Sequence, residues 1–199
     1  MAGGSRRARC SATLFGLAVG LLTVPLLAGR HYGWALLAIL VNRLIDGLDG
    51  AIARRNGPTA FGGYLDIVCD MAFYAAVPFG FALANPDNAL WSALLLASFV
   101  CTAASFLGRA IMAGQRGESD NGVRGAKSFF HSAGVVEGNE TILAFVLFGL
   151  FPAFFPWLAG GVAVLCFWTA AARVLDAYRS AFGRQQQDVV DAFNPISMD

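Results

Sequence analysis

The chain has 199 residues, of which 57% are hydrophobic and only 14% are Asp, Glu, Lys or Arg; soluble domains carry roughly 45–50% and about 25%. That balance excludes a disordered chain, a nucleic-acid-binding module and an ordinary soluble enzyme, and the length suits a single domain. The formal net charge of +1 says less than where the charges sit.

A bilayer span takes about 20 mainly apolar residues as a helix. After a basic segment over residues 1–11, the charge-free run Ala12–Ala28 gives a first span. The second, His31–Arg55, is apolar in its first half and charged in its second, and the third, Gly62–Ala84, mirrors it with acids at its start. The fourth, Leu90–Ala113, is almost free of charge until Arg109. Between Thr141 and Ala172 no residue is charged, but Pro152 and Phe155-Pro156-Trp157 interrupt the run. The stretch resolves into two helices, Glu137–Phe154 and Trp157–Tyr178. The expectation is an all-α polytopic integral membrane protein, with six transmembrane helices over residues 12–178 in one domain. A polar tail over 179–199, loosely ordered from Ser180, completes it.

Orientation follows from the Lys/Arg bias. With the N-terminus cytoplasmic, the inner ends collect Arg6, Arg7, Arg9, Arg54, Arg55, Arg109, Arg116, Arg124, Lys127, Arg173, Arg179 and Arg184, while the outer side receives Arg30 alone. Both termini are then cytoplasmic, as in a bacterial-type inner membrane. The first 29 residues have the layout of a signal peptide, but five further spans favour a retained first helix. Cys10, Cys69, Cys101 and Cys166 show no paired spacing, which favours inert thiols over a disulfide framework or zinc site. Trp34, Trp91 and Trp157 fall near the outer span ends, as interfacial aromatics do.

The chemistry concentrates where the second span meets the third. Asp46 and Asp49 are three residues apart, about 4.5 Å along a helix and on one face. Asp66 and Asp70 are about one turn apart on the next helix, and the turn between, Arg55–Phe61 with Gly57-Pro58, is short. Antiparallel neighbours would therefore bring four carboxylates to one depth. One Asp at a helix centre costs roughly 2.5–3.5 kcal/mol, and mutual repulsion adds to that. Arg43, Arg54 and Arg55 offset part of the repulsion, whereas bound divalent cations offset it directly. Mg²⁺ and Mn²⁺ prefer oxygen ligands, and two such ions about 3.5–4 Å apart form a clamp for displacement at phosphorus. Gly50 and Gly62 allow close approach of a ligand, and Arg54 offers a fork for phosphate oxygens.

Asp46, Asp49, Gly50, Ala53, Arg54, Gly62, Asp66 and Asp70 resemble the signature of the CDP-alcohol phosphotransferase (CDP-alcohol phosphatidyltransferase) family, D-x2-D-G-x2-A-R-x8-G-x3-D-x3-D. One departure stands out: seven residues, not eight, separate Arg54 from Gly62. The deletion falls in the turn and leaves each carboxylate pair intact. The resemblance implies a six-helix membrane enzyme of phospholipid biosynthesis. Such an enzyme transfers a phosphoalcohol group, typically phosphatidyl from CDP-diacylglycerol, to an acceptor alcohol and releases CMP. It also implies two divalent cations, Mg²⁺ or Mn²⁺, on Asp46, Asp49, Asp66 and Asp70, with Asp70 as general base. Gly50, Ala53, Arg54 and Gly62 would line the cytidine-diphosphate pocket, and a homodimer is expected.

For the acceptor two readings stand. Arg109, Lys127, His131, Glu137 and Glu140 form either an acceptor pocket or a solvated cytoplasmic face with positive-inside anchoring. Lys127 is the only lysine in the chain, and it lies one turn from His131. Two other functions compete with transfer. An ion-coupled transporter would need acids spread along the membrane normal, and an intramembrane prenyltransferase would lack the D-G-x2-A-R run.

Overall fold

The computed structural model describes residues 13–57, 59–115 and 138–193, with residues 52–56, 113, 139 and 180–193 described by their backbone alone. The described residues are helical, with no strand among them. Six helices follow in order: α1 (Thr13–Ala28), α2 (Tyr32–Asn56), α3 (Ala60–Ala84), α4 (Ala89–Gln115), α5 (Gly138–Leu150) and α6 (Phe155–Phe193). Three stretches are long and apolar enough to cross a bilayer, Ala60–Ala84, Pro86–Met112 and Pro152–Arg179, whereas Thr13–Ala28 and Glu140–Leu150 are apolar but shorter. At 25 residues α2 is long enough, and it is the charges of its second half that set it apart. This is an all-α polytopic membrane protein.

Prolines and caps set the helix ends. α1 is interrupted at Leu22 because Pro25 has no N–H to return to the preceding turn. Arg30, at φ 60°, directs Nε and Nη2 onto the carbonyl of Ala84 at 3.2 and 3.1 Å. It thereby caps the C-terminus of α3 with positive charge. The expected fifth helix, Glu137–Phe154, is shorter than the sequence suggests. It stops at Leu150, and Pro152–Phe154 form a 3-10 turn, since a proline lacks the donor to continue an α-helix. Glu137 lies outside the described residues. The expected loose tail from Ser180 is also corrected: α6 is helical through Phe193. At about 1.5 Å per residue, its 39 residues exceed a hydrocarbon core of about 30 Å.

The chain divides into two compact units. The described part of the first comprises residues 13–57, 59–97 and 138–163. Here α1 packs on α2 and α3, and α2 packs on α5. Two glycines make the α1 contact: a Cβ on Gly16 would lie 3.1 Å from Ile45, and one on Gly20 would lie 2.7 Å from the Phe73 ring and 2.9 Å from Asn42. A small-xxx-small face of this kind lets membrane helices approach closely. Buried Phe73, Phe81, Phe145, Phe148 and Phe155 form the aromatic core. Phe81 stacks on Phe155 at 4.2 Å, and Phe148 meets Phe155 edge-on at 5.2 Å.

The described part of the second unit comprises residues 98–115 and 164–193. The Thr102 hydroxyl donates to the Cys166 carbonyl at 3.1 Å, a polar tie between α4 and α6. Nearer the helix ends, Arg109 pairs with Asp176 and Arg173 lies over the Phe106 ring at 5.9 Å.

Candidate active site

The site is built in the first unit, where α2 and α3 carry the acids and α1 covers them. Asp46, Asp66 and Asp70 each offer a carboxylate oxygen, and these atoms all lie within 4.8 Å of one another. Asp46 and Asp70 are half-buried and Asp66 is exposed. Three hard oxygen donors at this spacing suit a divalent cation of the Mg²⁺ or Mn²⁺ type. Asp49 stands to one side of the trio. An i, i+3 step rotates it about 60° from Asp46 and one turn along the axis, and the Thr13 hydroxyl of α1 donates to its Oδ2. Asp49 still lines the same cavity as Asp46 and Asp70. Thr13, Asn42, Arg43 and Cys69 complete the polar part of that cavity's wall.

Among the described residues, Arg43 is the cation of this cluster. Its Nη2 donates to Asp70 at 2.9 Å and its Nη1 to Asp46 at 3.4 Å. The sequence marks it only as a nearby charge. Thr13 and Asn42 carry no sequence signal at all, because their partners lie on other helices. Asn42 is buried and donates to the Gly16 carbonyl at 2.7 Å. In hydrocarbon such a bond satisfies a group that would otherwise be stranded.

The turn that carries the shortened spacing lies between Asn56 and Ala60. α2 continues to Asn56, so Arg54 and Arg55 are helical rather than part of the turn. Gly57 takes φ 84°, in the left-handed region. Thr59 caps α3, its hydroxyl accepting the N–H of Gly62 at 3.1 Å. A Cβ on Gly62 would lie 2.8 Å from that hydroxyl, so glycine and cap fit each other. Gly50 is half-buried on α2, while the side chains of Ala53 and Arg54 lie outside the described residues.

The expected acceptor residues are placed only in part. Lys127, His131 and Glu137 lie outside the described residues. Glu140 is exposed on α5, in the first unit, and Arg109 belongs to the second, its guanidinium engaged by Asp176.

The chain is similar to known proteins. Residues 10–174 match the family model of CDP-alcohol phosphatidyltransferase. The chain is 49% identical over 176 residues to the inner membrane protein YnjF of Escherichia coli (strain K12), a match covering 88% of this chain and 85% of that protein. It is 33% identical over 91 residues to a phosphatidylinositol phosphate synthase of Mycobacteroides abscessus, covering 45% of this chain and 41% of that one. No solved structure matches it. A match running through nearly the whole helical region, on a chain three of whose signature aspartates meet across α2 and α3, places this protein in the CDP-alcohol phosphatidyltransferase family.

Proposed function

We propose that the carboxylate cluster of α2 and α3 is the catalytic centre of a divalent-metal-dependent transferase. It moves a phosphatidyl group from CDP-diacylglycerol to an acceptor alcohol, with release of CMP. The observation that carries this reading is the convergence of Asp46, Asp66 and Asp70 to within 4.8 Å in a member of this family. These three, with Asp49 beside them, hold two cations, Mg²⁺ or Mn²⁺. When bound, the cations neutralise the diphosphate and so lower the barrier to displacement at phosphorus.

The chain's own residues supply position and proton transfer. Asp70 accepts the proton of the acceptor hydroxyl as that oxygen bonds to the phosphatidyl phosphorus. The bond from this phosphorus to the CMP oxygen breaks, and CMP leaves with the electron pair. Arg43 donates to Oδ1 of Asp70, and Oδ2 would be the oxygen that takes the proton. Gly50 and Gly62 admit the donor's diphosphate, and Arg54 binds one of its phosphates. On the acceptor side, Arg109 with Lys127, His131, Glu137 and Glu140 remain the residues proposed to receive the alcohol. We place the enzyme in a bacterial inner membrane as a homodimer, with this centre facing the cytoplasm.

The test is CMP release by purified protein given CDP-diacylglycerol, Mn²⁺ or Mg²⁺ and a panel of acceptor alcohols. Asp70→Asn should lower turnover by about 10²–10⁴-fold, the range for loss of a general base, while CDP binding persists. Near-normal turnover in that variant would remove Asp70 from this role, and turnover unaffected by EDTA would remove the metals.

A further inference from the structure

Arg43 is held by neighbours from its own helix α2 and from α3, and through Asn42 it is tied to α1. Nη2 reaches Asp70 Oδ1 of α3 at 2.9 Å, Nη1 reaches Asp46 Oδ2 at 3.4 Å, and Nε donates to Asn42 Oδ1 at 2.9 Å. The guanidinium carbon lies 4.7 Å from the centroid of the Phe73 ring, a cation–π distance. Asn42 is itself only 3% exposed and is anchored through Nδ2 to the Gly16 carbonyl of α1 at 2.7 Å. A basic side chain that merely reaches for the interface keeps its head in water. This one turns inward and spends its fork on two carboxylates from different helices.

The electrostatics give that arrangement a consequence. Asp46, Asp66 and Asp70 place like charges within a few ångströms of one another, so without a counter-charge α2 and α3 repel at this level. The guanidinium supplies one positive charge at a fixed point and engages one oxygen each of Asp46 and Asp70. The same charge repels any other cation entering the cluster. We propose that Arg43 is the resident counter-cation of the cradle: it holds Asp46 and Asp70 together before a divalent ion binds, and it weakens the grip on that ion once bound. This rests on the divalent-cation reading above. Its value to an enzyme is a site that stays assembled when empty and exchanges its ion readily.

The experiment is a Mn²⁺ titration of purified protein, with free Mn²⁺ followed by electron paramagnetic resonance. Thermal unfolding is measured in parallel in EDTA and in saturating Mn²⁺. Arg43→Gln, which removes the charge, should lower the Mn²⁺ concentration for half-saturation about tenfold, the scale of one unit charge acting a few ångströms away in a partly screened site. Its Tm in EDTA should fall by about 5 °C, and Mn²⁺ should restore most of that loss. Arg43→Lys, which keeps the charge, should stay close to the wild type in affinity. Unchanged or weaker Mn²⁺ binding by Arg43→Gln overturns the proposal, as does a loss of folding that Mn²⁺ does not repair. Wild-type protein that binds no Mn²⁺ removes the cation reading itself, and this inference with it. Wild-type binding with an indifferent Arg43→Gln removes this inference alone.

Discussion

Thr13 illustrates how a single hydroxyl on a neighbouring helix finishes the site. Asp49 sits 36 positions away in sequence, yet its Oδ2 accepts the Thr13 hydroxyl, so one oxygen of that carboxylate is oriented from α1. A hydrogen bond to a charged group is worth about 1.5–3 kcal/mol. Thr13→Val keeps the shape and deletes the donor, and CMP release should therefore fall about tenfold or more, with Thr13→Ser restoring most of it. A Val variant with wild-type turnover would show that Asp49 needs no such support. The signature aspartates were legible because helical phase alone puts Asp66 and Asp70 on one face. Their supporting residues were not. Asn42 and Arg43 take meaning only once Gly16 and Asp70 are known to face them across helices. Asp49 lines the same cavity as Asp46 and Asp70, and the three carboxylates whose oxygens converge are Asp46, Asp66 and Asp70.

At the level of elements, the turn between α2 and α3 explains how a spacing one residue short of the family pattern preserves the acids' placement. Residues on both sides are drawn into helix, so α2 ends at Asn56 and α3 begins at Ala60. Thr59 then provides the cap, and Gly62 leaves room for its hydroxyl. Thr59→Ala should destabilise the protein by about 1 kcal/mol, the usual loss of an N-cap. Gly62→Ala should also destabilise it, because the added methyl group meets the Thr59 oxygen. The two changes share that contact, so the double variant should lose less than the two single losses added together. Tm values of the four proteins in detergent decide the matter, and strict additivity would mean that glycine and cap act independently. Threonine before an apolar run is a readable start signal. Proline likewise announced the break near Pro152, though not that α5 would end as early as Leu150. The polar composition after Ser180 suggested a loose end, whereas the backbone there continues α6 to Phe193. Gln, Arg and Ala are good helix formers, and polarity by itself does not terminate a helix.

For the molecule as a whole, family membership decides against the transporter and prenyltransferase readings, and the bearing of the protein in its membrane becomes the next question. Only Arg30 falls on the proposed outer side, and it is occupied in capping α3 at Ala84. Its charge is thus partly neutralised by a helix C-terminus and contributes less to orientation than a free arginine. The inner ends keep the remaining bias, with Arg173 and Arg179 on α6 ahead of the helical stretch that runs on to Phe193. α6 is longer than the hydrocarbon core is thick, and in the proposed orientation its C-terminal end is expected on the cytoplasmic side. In the proposed orientation, exposed Asp87, in the 3-10 turn between α3 and α4, is expected on the outer side. With Cys10 and Cys101 replaced by Ser, a membrane-impermeant maleimide applied to intact spheroplasts should label Asp87→Cys and leave Gln186→Cys unmodified. Inverted vesicles should give the reverse. Labelling of Asp87→Cys only in inverted vesicles would turn the carboxylate cradle, at the other end of α3, away from the cytoplasm, and with it the proposed supply of a CDP-linked donor from that side.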